Sequence, residues 1–279
     1  MAQGGNMIKL VAIDIDDTLV NTSKEITDQV KDSLHKATEA GVKIVLTTGR
    51  PVKGVQAYLK TLGLADLDDQ YVITYNGSVV ETTSGQVIAS QEVGYPAYES
   101  MTHFGQENWG EEVLVQAEML EDIYTTNRVI NPMASRESYF MSMPIHVLDL
   151  ADMPAEGNYV KVMLIAEVAK IDEIQQKLPK EIVDNYTIVR SDQYFLEILN
   201  KEASKGNGLR ALADHLGIDM SETMAIGDQQ NDMSMLEAAG FGVAMGNAIP
   251  ELKEIADAVT TTQDEHGVGV AIDKYVLDN

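Results

Sequence analysis

The chain has 279 residues, 44% of them hydrophobic, enough for two domains or one large one with a substantial core. Forty-four Asp and Glu against 20 Lys and Arg give a formal net charge of −24, which argues against a nucleic-acid partner and against an anionic membrane surface. No window approaches the ~18 apolar residues of a membrane-spanning helix, and with no cysteine neither a disulfide framework nor a thiolate metal site can form.

A cytoplasmic protein is the expectation, with residues 1–6 (MAQGGN) read as leader or tag-like and set aside from the fold. Residues 8–14 (IKLVAID) form a near-continuous apolar run, the pattern of a parallel strand buried on both faces. Val30, Leu34, Ala37 and Ala40 then recur at helical spacing, with Gly41 as a stop. Residues 42–48 read as a second strand, 51–63 as a helix opened by Pro51, and 70–77 as a third strand. The grammar returns near the C-terminus: helix 204–217, strand 223–228, helix 231–240, strand 242–246, helix 249–256, a short strand 257–261 and a final helix 269–277. Alternating units of this kind imply an α/β, doubly wound parallel-sheet (Rossmann-like) core.

The middle of the chain differs. Residues 85–93, 121–126, 159–167, 186–191 and 194–200 read as strands, with helices at 170–182 and near 96–109. This is an α+β pattern with an antiparallel sheet. Residues 1–84 and 199–279 are therefore expected to form the core, and 85–198 an inserted α+β cap domain.

Ligands of open α/β sheets bind beyond the carboxyl ends of the strands, and four polar clusters fall at or near such places. Asp14 and Asp16 follow the first strand, and Thr47, Thr48, Gly49 and Arg50 follow the second. Lys205 opens a helix, and Asp228 leads the run GDQQND. Like charges gathered at the end of a buried strand need a cation. Asp14, Asp16 and Asp228 offer an oxygen-only site that suits Mg²⁺. The five His residues share no spacing, no P-loop is present, and the run GVGVAI (267–272) lacks the third glycine of a dinucleotide fingerprint.

The ordered segments DIDDT, TTGR, SKG and GDQQND resemble the four motifs of the haloacid dehalogenase superfamily. More narrowly, TTGRP, TYNGS, SKGNGL, GDQQNDMSML and GVAMGNA are similar to its Cof-type sugar phosphatases, whose cap is inserted between the second and third motifs. The resemblance implies a Mg²⁺-dependent phosphatase acting on a small phosphorylated metabolite, with the cap closing over the site and choosing the leaving group. It makes Asp14 the nucleophile that becomes an aspartyl-phosphate, and Asp16 the general acid and then base. Metal ligands would be Asp14, the backbone carbonyl of Asp16, and Asp228. Thr48, Gly49, Lys205 and Asn231 would hold the phosphoryl group, with Thr47 the alternative to Thr48 should the strand register shift by one. Asp232 would orient Lys205 or a metal-bound water, and Arg50 would either reach the substrate or brace its loop. Glu197 and Asn200 would lie near the hinge. The superfamily usually has glycine where this chain has Asp17, a residue that tolerates turn conformations. Other readings are a phosphomutase of the same superfamily and a non-catalytic sugar-phosphate-binding regulator.

Overall fold

A computed structural model describes residues 7–278, so the expected leader at 1–6 lies outside the described residues. The chain divides into two compact units, one running up to Ala89 and resuming at Ser204, the other Ser90–Ala203.

In the first unit the chain runs β1 (Leu10–Asp14), α1 (Asp28–Glu39), β2 (Lys43–Thr47), α2 (Gln56–Thr61), β3 (Tyr71–Thr74), β4 (Val79–Thr82) and β5 (Val87–Ser90). All five residues of β1 are buried, as a strand covered on both faces requires. Helix α1 buries Val30, Leu34 and Ala37 from one stripe.

The second unit has its own sheet and core. It holds α3 (Tyr95–Trp109), β6 (Leu114–Glu118), β7 (Ile123–Thr125), α4 (Pro132–Met141), β8 (Ile145–Val147), β9 (Lys161–Ile165), α5 (Val168–Lys177), α6 (Lys180–Asn185), β10 (Tyr186–Asp192) and β11 (Phe195–Asn200). Its six strands lie in the order β10-β11-β9-β6-β7-β8. The pairs are antiparallel except β7 with β8. On one face Val115, Ala117, Val162, Leu164, Leu196 and Ile198 pack with apolar residues of α3, α5 and α6. On the other, Leu114, Met163, Ile165 and Phe195 meet Ala134 of α4.

The first unit resumes with α7 (Lys205–Leu216), β12 (Thr223–Gly227), α8 (Met233–Ala238), β13 (Phe241–Ala244), α9 (Pro250–Ile255), β14 (Ala258–Val259) and α10 (Gly267–Ile272). Its sheet has the order β14-β13-β12-β1-β2-β3-β4-β5. Pairing is parallel from β14 through β3 and antiparallel between β3 and β4. β1 sits beside both β12 and β2, so three strand ends from distant parts of the chain open on the same edge. Among the described residues no helix is long and apolar enough to cross a membrane.

Several elements depart from the sequence expectation. Residues 87–90, read as part of the inserted domain, join the core sheet as β5. The expected helix 170–182 breaks into α5 and α6 at Pro179, which cannot continue the first helix. β6 carries no clean apolar pattern because Gln116 and Glu118 are buried in it. Helix α4 turns Tyr139 and Phe140 to solvent and buries Glu137, so it offers no clean apolar stripe, though its start is signalled by Asn131, whose side chain accepts from the Ala134 amide (2.8 Å), and by Pro132.

The polar residues of β6 belong to a buried ion cluster. The Lys161 ammonium lies 3.2 Å from both Glu118 Oε2 and Glu197 Oε1, and Glu137 of α4 is buried nearby. Gln116 Nε2 donates to Glu118 Oε1 (3.4 Å), and Ser191 Oγ donates to Glu197 Oε1 (2.6 Å). Burial opposes the charge on Lys161, but Glu118, Glu197 and Glu137 outweigh it and raise its pKa. Burial pushes Glu118 from 4.5 up to about 7 despite the attraction of Lys161. Asn200 Nδ2 donates to the Glu92 carbonyl (2.8 Å) in the same unit.

Lys161→Met leaves three carboxylates without their cation and should destabilise this unit by about 3–5 kcal/mol, read from the urea midpoint. Because the folded pKa of Glu118 is raised, its favourable contribution is complete below about pH 4.5 and is lost as pH climbs through about 7. Glu118→Gln should therefore flatten the fall of the midpoint over that window; an unchanged slope would show that another group causes it.

Candidate active site

β1 ends at Asp14, and the chain turns at once. Asp16 is extended, while Asp17 takes φ 58°, ψ 14° in the left-handed region. Aspartate tolerates that conformation, so the loop forms without glycine. Asn247 Nδ2 donates to the Asp17 carbonyl (2.8 Å), and Thr18 Oγ1 donates to Asp228 Oδ1 (2.8 Å). Asp228 follows β12, whose register beside β1 pairs Ile13 with Ile226 and sets the two aspartates at neighbouring strand ends.

Lys205 is the first residue of α7. Ser204 caps that helix by accepting from the Asn207 amide (3.1 Å), which fixes where the lysine leaves the backbone. The Lys205 side chain is 0% exposed and donates to Asp14 Oδ1 (2.5 Å) and to Asp232 Oδ1 (2.6 Å). Asp232 uses its other oxygen to accept from the amides of Asp228 (2.9 Å) and Gln229 (3.0 Å). Glycine is required at 227, because a Cβ there would lie 2.5 Å from Asp232 Cβ and Cγ.

One ammonium thus faces three buried carboxylates. Asp14, Asp228 and Asp232 each bring an oxygen to within 4.8 Å of the others, and the buried Asp228 Oδ2 has no hydrogen-bond partner. Burial pushes Asp14 up to about 8 against the lowering effect of Lys205, with Asp232 and Asp228 adding to the rise. Burial likewise pushes Asp228 up to about 6 against the Thr18 hydrogen bond. For Lys205, burial works against the charge, and Asp14 and Asp232 more than offset it, so its pKa is raised. A buried cluster short of positive charge, with an orphaned carboxylate oxygen, fits a hard divalent cation that would displace those protons. Asp232 has both oxygens tied down, so Asp14 and Asp228 are the carboxylates best able to ligate.

Asp16 lies apart from this cluster. Arg50 Nη2 donates to both of its carboxylate oxygens at 2.7 Å, and Lys24 Nζ donates to Oδ1 at 3.3 Å. Arg50 therefore engages Asp16 across the two loops. Thr48 lies just past β2, its Oγ1 accepting from the Arg50 amide (3.1 Å). Thr47, the last residue of the strand, turns its hydroxyl to Met235 Sδ (3.4 Å). Gly49 lies against the Asn76 side chain, to which Asn231 Nδ2 also donates (3.1 Å to Oδ1). Thr18, Lys24 and Asn76 were given no role by sequence reasoning. Thr18 and Asn76 stand inside quoted motifs, whereas nothing in the pattern distinguished Lys24.

The model of the haloacid dehalogenase-like hydrolase family matches residues 11–272. The Bacillus subtilis protein YxeH, whose name describes it provisionally as a phosphatase, is 43% identical over 97% of this chain and 99% of its own length. A haloacid dehalogenase-like hydrolase from Bacteroides thetaiotaomicron superposes with a TM-score of 0.83 at 28% identity, covering 96% of this chain and 99% of that one. The subclass IIB sugar phosphatase BT4131 does so with a TM-score of 0.74 at 26% identity, over 95% and 98% of the two chains.

With Asp14 and Asp228 both raised, the stability they lend the metal-free chain is full below about pH 4 and is lost as pH rises through about 6 and then about 8. The melting temperature of chelator-treated protein should fall across that window. A divalent cation should restore it, most strongly at the alkaline end. A restoration independent of pH would contradict the assignment.

Proposed function

The chain belongs to the haloacid dehalogenase-like hydrolase family and is a phosphatase of that family, and from that premise we propose that it hydrolyses small phosphate monoesters, phosphorylated sugars foremost, in the cytoplasm, with Mg²⁺ as cofactor and through an aspartyl-phosphate on Asp14. The observation that carries this reading is the buried Asp14 carboxylate, held 2.5 Å from Lys205 beside an Asp228 with one oxygen free.

Asp14, the backbone carbonyl of Asp16, and Asp228 would hold the metal, whose charge lets an anionic nucleophile approach an anionic phosphoryl group. An Asp14 carboxylate oxygen attacks phosphorus as the bond from phosphorus to the alcohol oxygen breaks. Asp16 gives that oxygen its proton. Asp16 then takes a proton from the water that attacks the aspartyl-phosphate, releasing inorganic phosphate and the free carboxylate. The two aspartates occupy unlike environments, one buried against lysine and one half-exposed against arginine, which supports separate roles for neighbouring carboxylates.

Thr48 and the Gly49 amide bind phosphoryl oxygens, with Asn231 opposite them. Lys205 sets a fixed charge beside the transferring group without reorganising during the reaction. Asp232 holds Lys205 in place. Arg50 orients Asp16, and Thr47 supports the loop from the strand side. Sugar phosphates are favoured as substrates because the similar protein BT4131 is described as a sugar phosphatase.

Asp14→Asn should lower turnover of a screened sugar phosphate by roughly 10⁴-fold or more while leaving the circular dichroism spectrum unchanged. Retained phosphate release would remove Asp14 as the nucleophile. Chelation with EDTA should abolish release of inorganic phosphate from the wild type, and Mg²⁺ should restore it. Turnover that survives EDTA, or an isomeric sugar phosphate as the product, would defeat the proposal.

A further inference from the structure

β3 leaves the core sheet through three successive residues of positive φ: Tyr75 (51°), Asn76 (55°) and Gly77 (93°). Two of them carry side chains. Such backbone persists only where its surroundings over-determine it. Here the turn touches three of the four polar clusters of the site. Toward the β2 loop, the Asn76 amide donates to the Thr48 carbonyl (2.9 Å) and the Tyr75 amide to the Arg50 carbonyl (3.3 Å). Toward α7, Gly77 packs so closely that a Cβ on it would fall 1.9 Å from the Ser204 carbonyl oxygen and 2.7 Å from the Lys205 nitrogen. Toward the loop after β12, the Asn76 side chain accepts from Asn231 Nδ2 (3.1 Å). The same carboxamide lies 3.1 Å from where a Gly49 Cβ would stand.

We propose that Asn76 is a positioning residue of the phosphoryl site, its carboxamide fixing the Gly49 loop and Asn231 at the separation needed to hold phosphoryl oxygens from two sides. The inference rests on the phosphatase reading and adds a residue to it. Asparagine also favours left-handed backbone for its own sake, so the side-chain role and the backbone role must be told apart. Glycine at 76 keeps the backbone and deletes the carboxamide. Aspartate keeps the volume and an acceptor for Asn231 while setting a carboxylate against Gly49.

Inorganic phosphate binding by calorimetry in saturating Mg²⁺, together with KM and kcat for p-nitrophenyl phosphate, tests this. Asn76→Gly should weaken phosphate binding and raise KM by about tenfold, the worth of one hydrogen bond, while changing kcat far less. Asn76→Asp should bind phosphate more weakly still. The double variant Asn76→Gly, Asn231→Ala should lose less than the product of the two single losses, because part of the effect of Asn76 runs through Asn231. Wild-type affinity in Asn76→Gly, or losses that multiply in the double variant, overturns the assignment. Should Asn76→Gly fail to fold, Asn76→Asp decides alone: wild-type affinity there overturns the assignment. A wild type that takes up no phosphate overturns the phosphatase reading and the assignment with it, an outcome separable from the others because the variants play no part in it.

Discussion

The site depends on a single buried ammonium shared between two carboxylates. Lys205 reaches Asp14 and Asp232 at hydrogen-bond distance with no exposed surface of its own. A lysine buried alone would lose its charge, and aspartates buried alone would hold their protons. Together, the lysine keeps its charge while burial still pushes Asp14 up to about 8, so one positive charge set among Asp14, Asp228 and Asp232 leaves a deficit. The deficit gives the cluster its chemistry, since a hard cation is favoured and a carboxylate is kept poised beside it. Other features keep the arrangement in register: the parallel pairing of β1 with β12, the glycine at 227 that makes room for Asp232, and the capped start of α7.

Charge is divided between two neighbouring places. Asp14 sits inside, where burial dominates, and Asp16 sits toward solvent in the grip of Arg50 and Lys24. Two residues along the chain, the same functional group meets opposite surroundings, which is how one reaction can use a carboxylate as nucleophile and another as proton carrier. The overall charge of −24 repels an anionic substrate at long range, and Lys205, Arg50 and Lys24 are each paired with aspartates of the site, so local attraction would fall to a divalent cation bound by the carboxylate cluster.

Much of this was legible before any coordinates, for identifiable reasons. The strand ending at Asp14 announces itself because a parallel strand buried on both faces has little freedom in composition. Its partner ending near Asp228 does so by the same rule. Lys205 in isolation reads as an ordinary exposed helix-start lysine, and only its place among ordered motifs singles it out. What escaped was set by tertiary contact. β6 hides because Gln116 and Glu118 are buried polar residues, Glu118 against the Lys161 ammonium and Gln116 hydrogen-bonded to Glu118, a fact no periodicity can carry. The Arg50–Asp16 pair joins two loops that are near only once the sheet has formed. Asn76 resembles a turn residue until its side chain is seen between Gly49 and Asn231.

The most direct measurement is mass spectrometry of the peptide spanning residues 10–20 after acid quench of the Mg²⁺-loaded enzyme during steady turnover. A fraction of that peptide should carry one added phosphoryl group on Asp14, lost on brief treatment with hydroxylamine. A phosphoryl group found on another residue, or steady turnover with Asp14 never modified at any quench time, would contradict the central claim that the lysine-held aspartate is the group that accepts phosphorus.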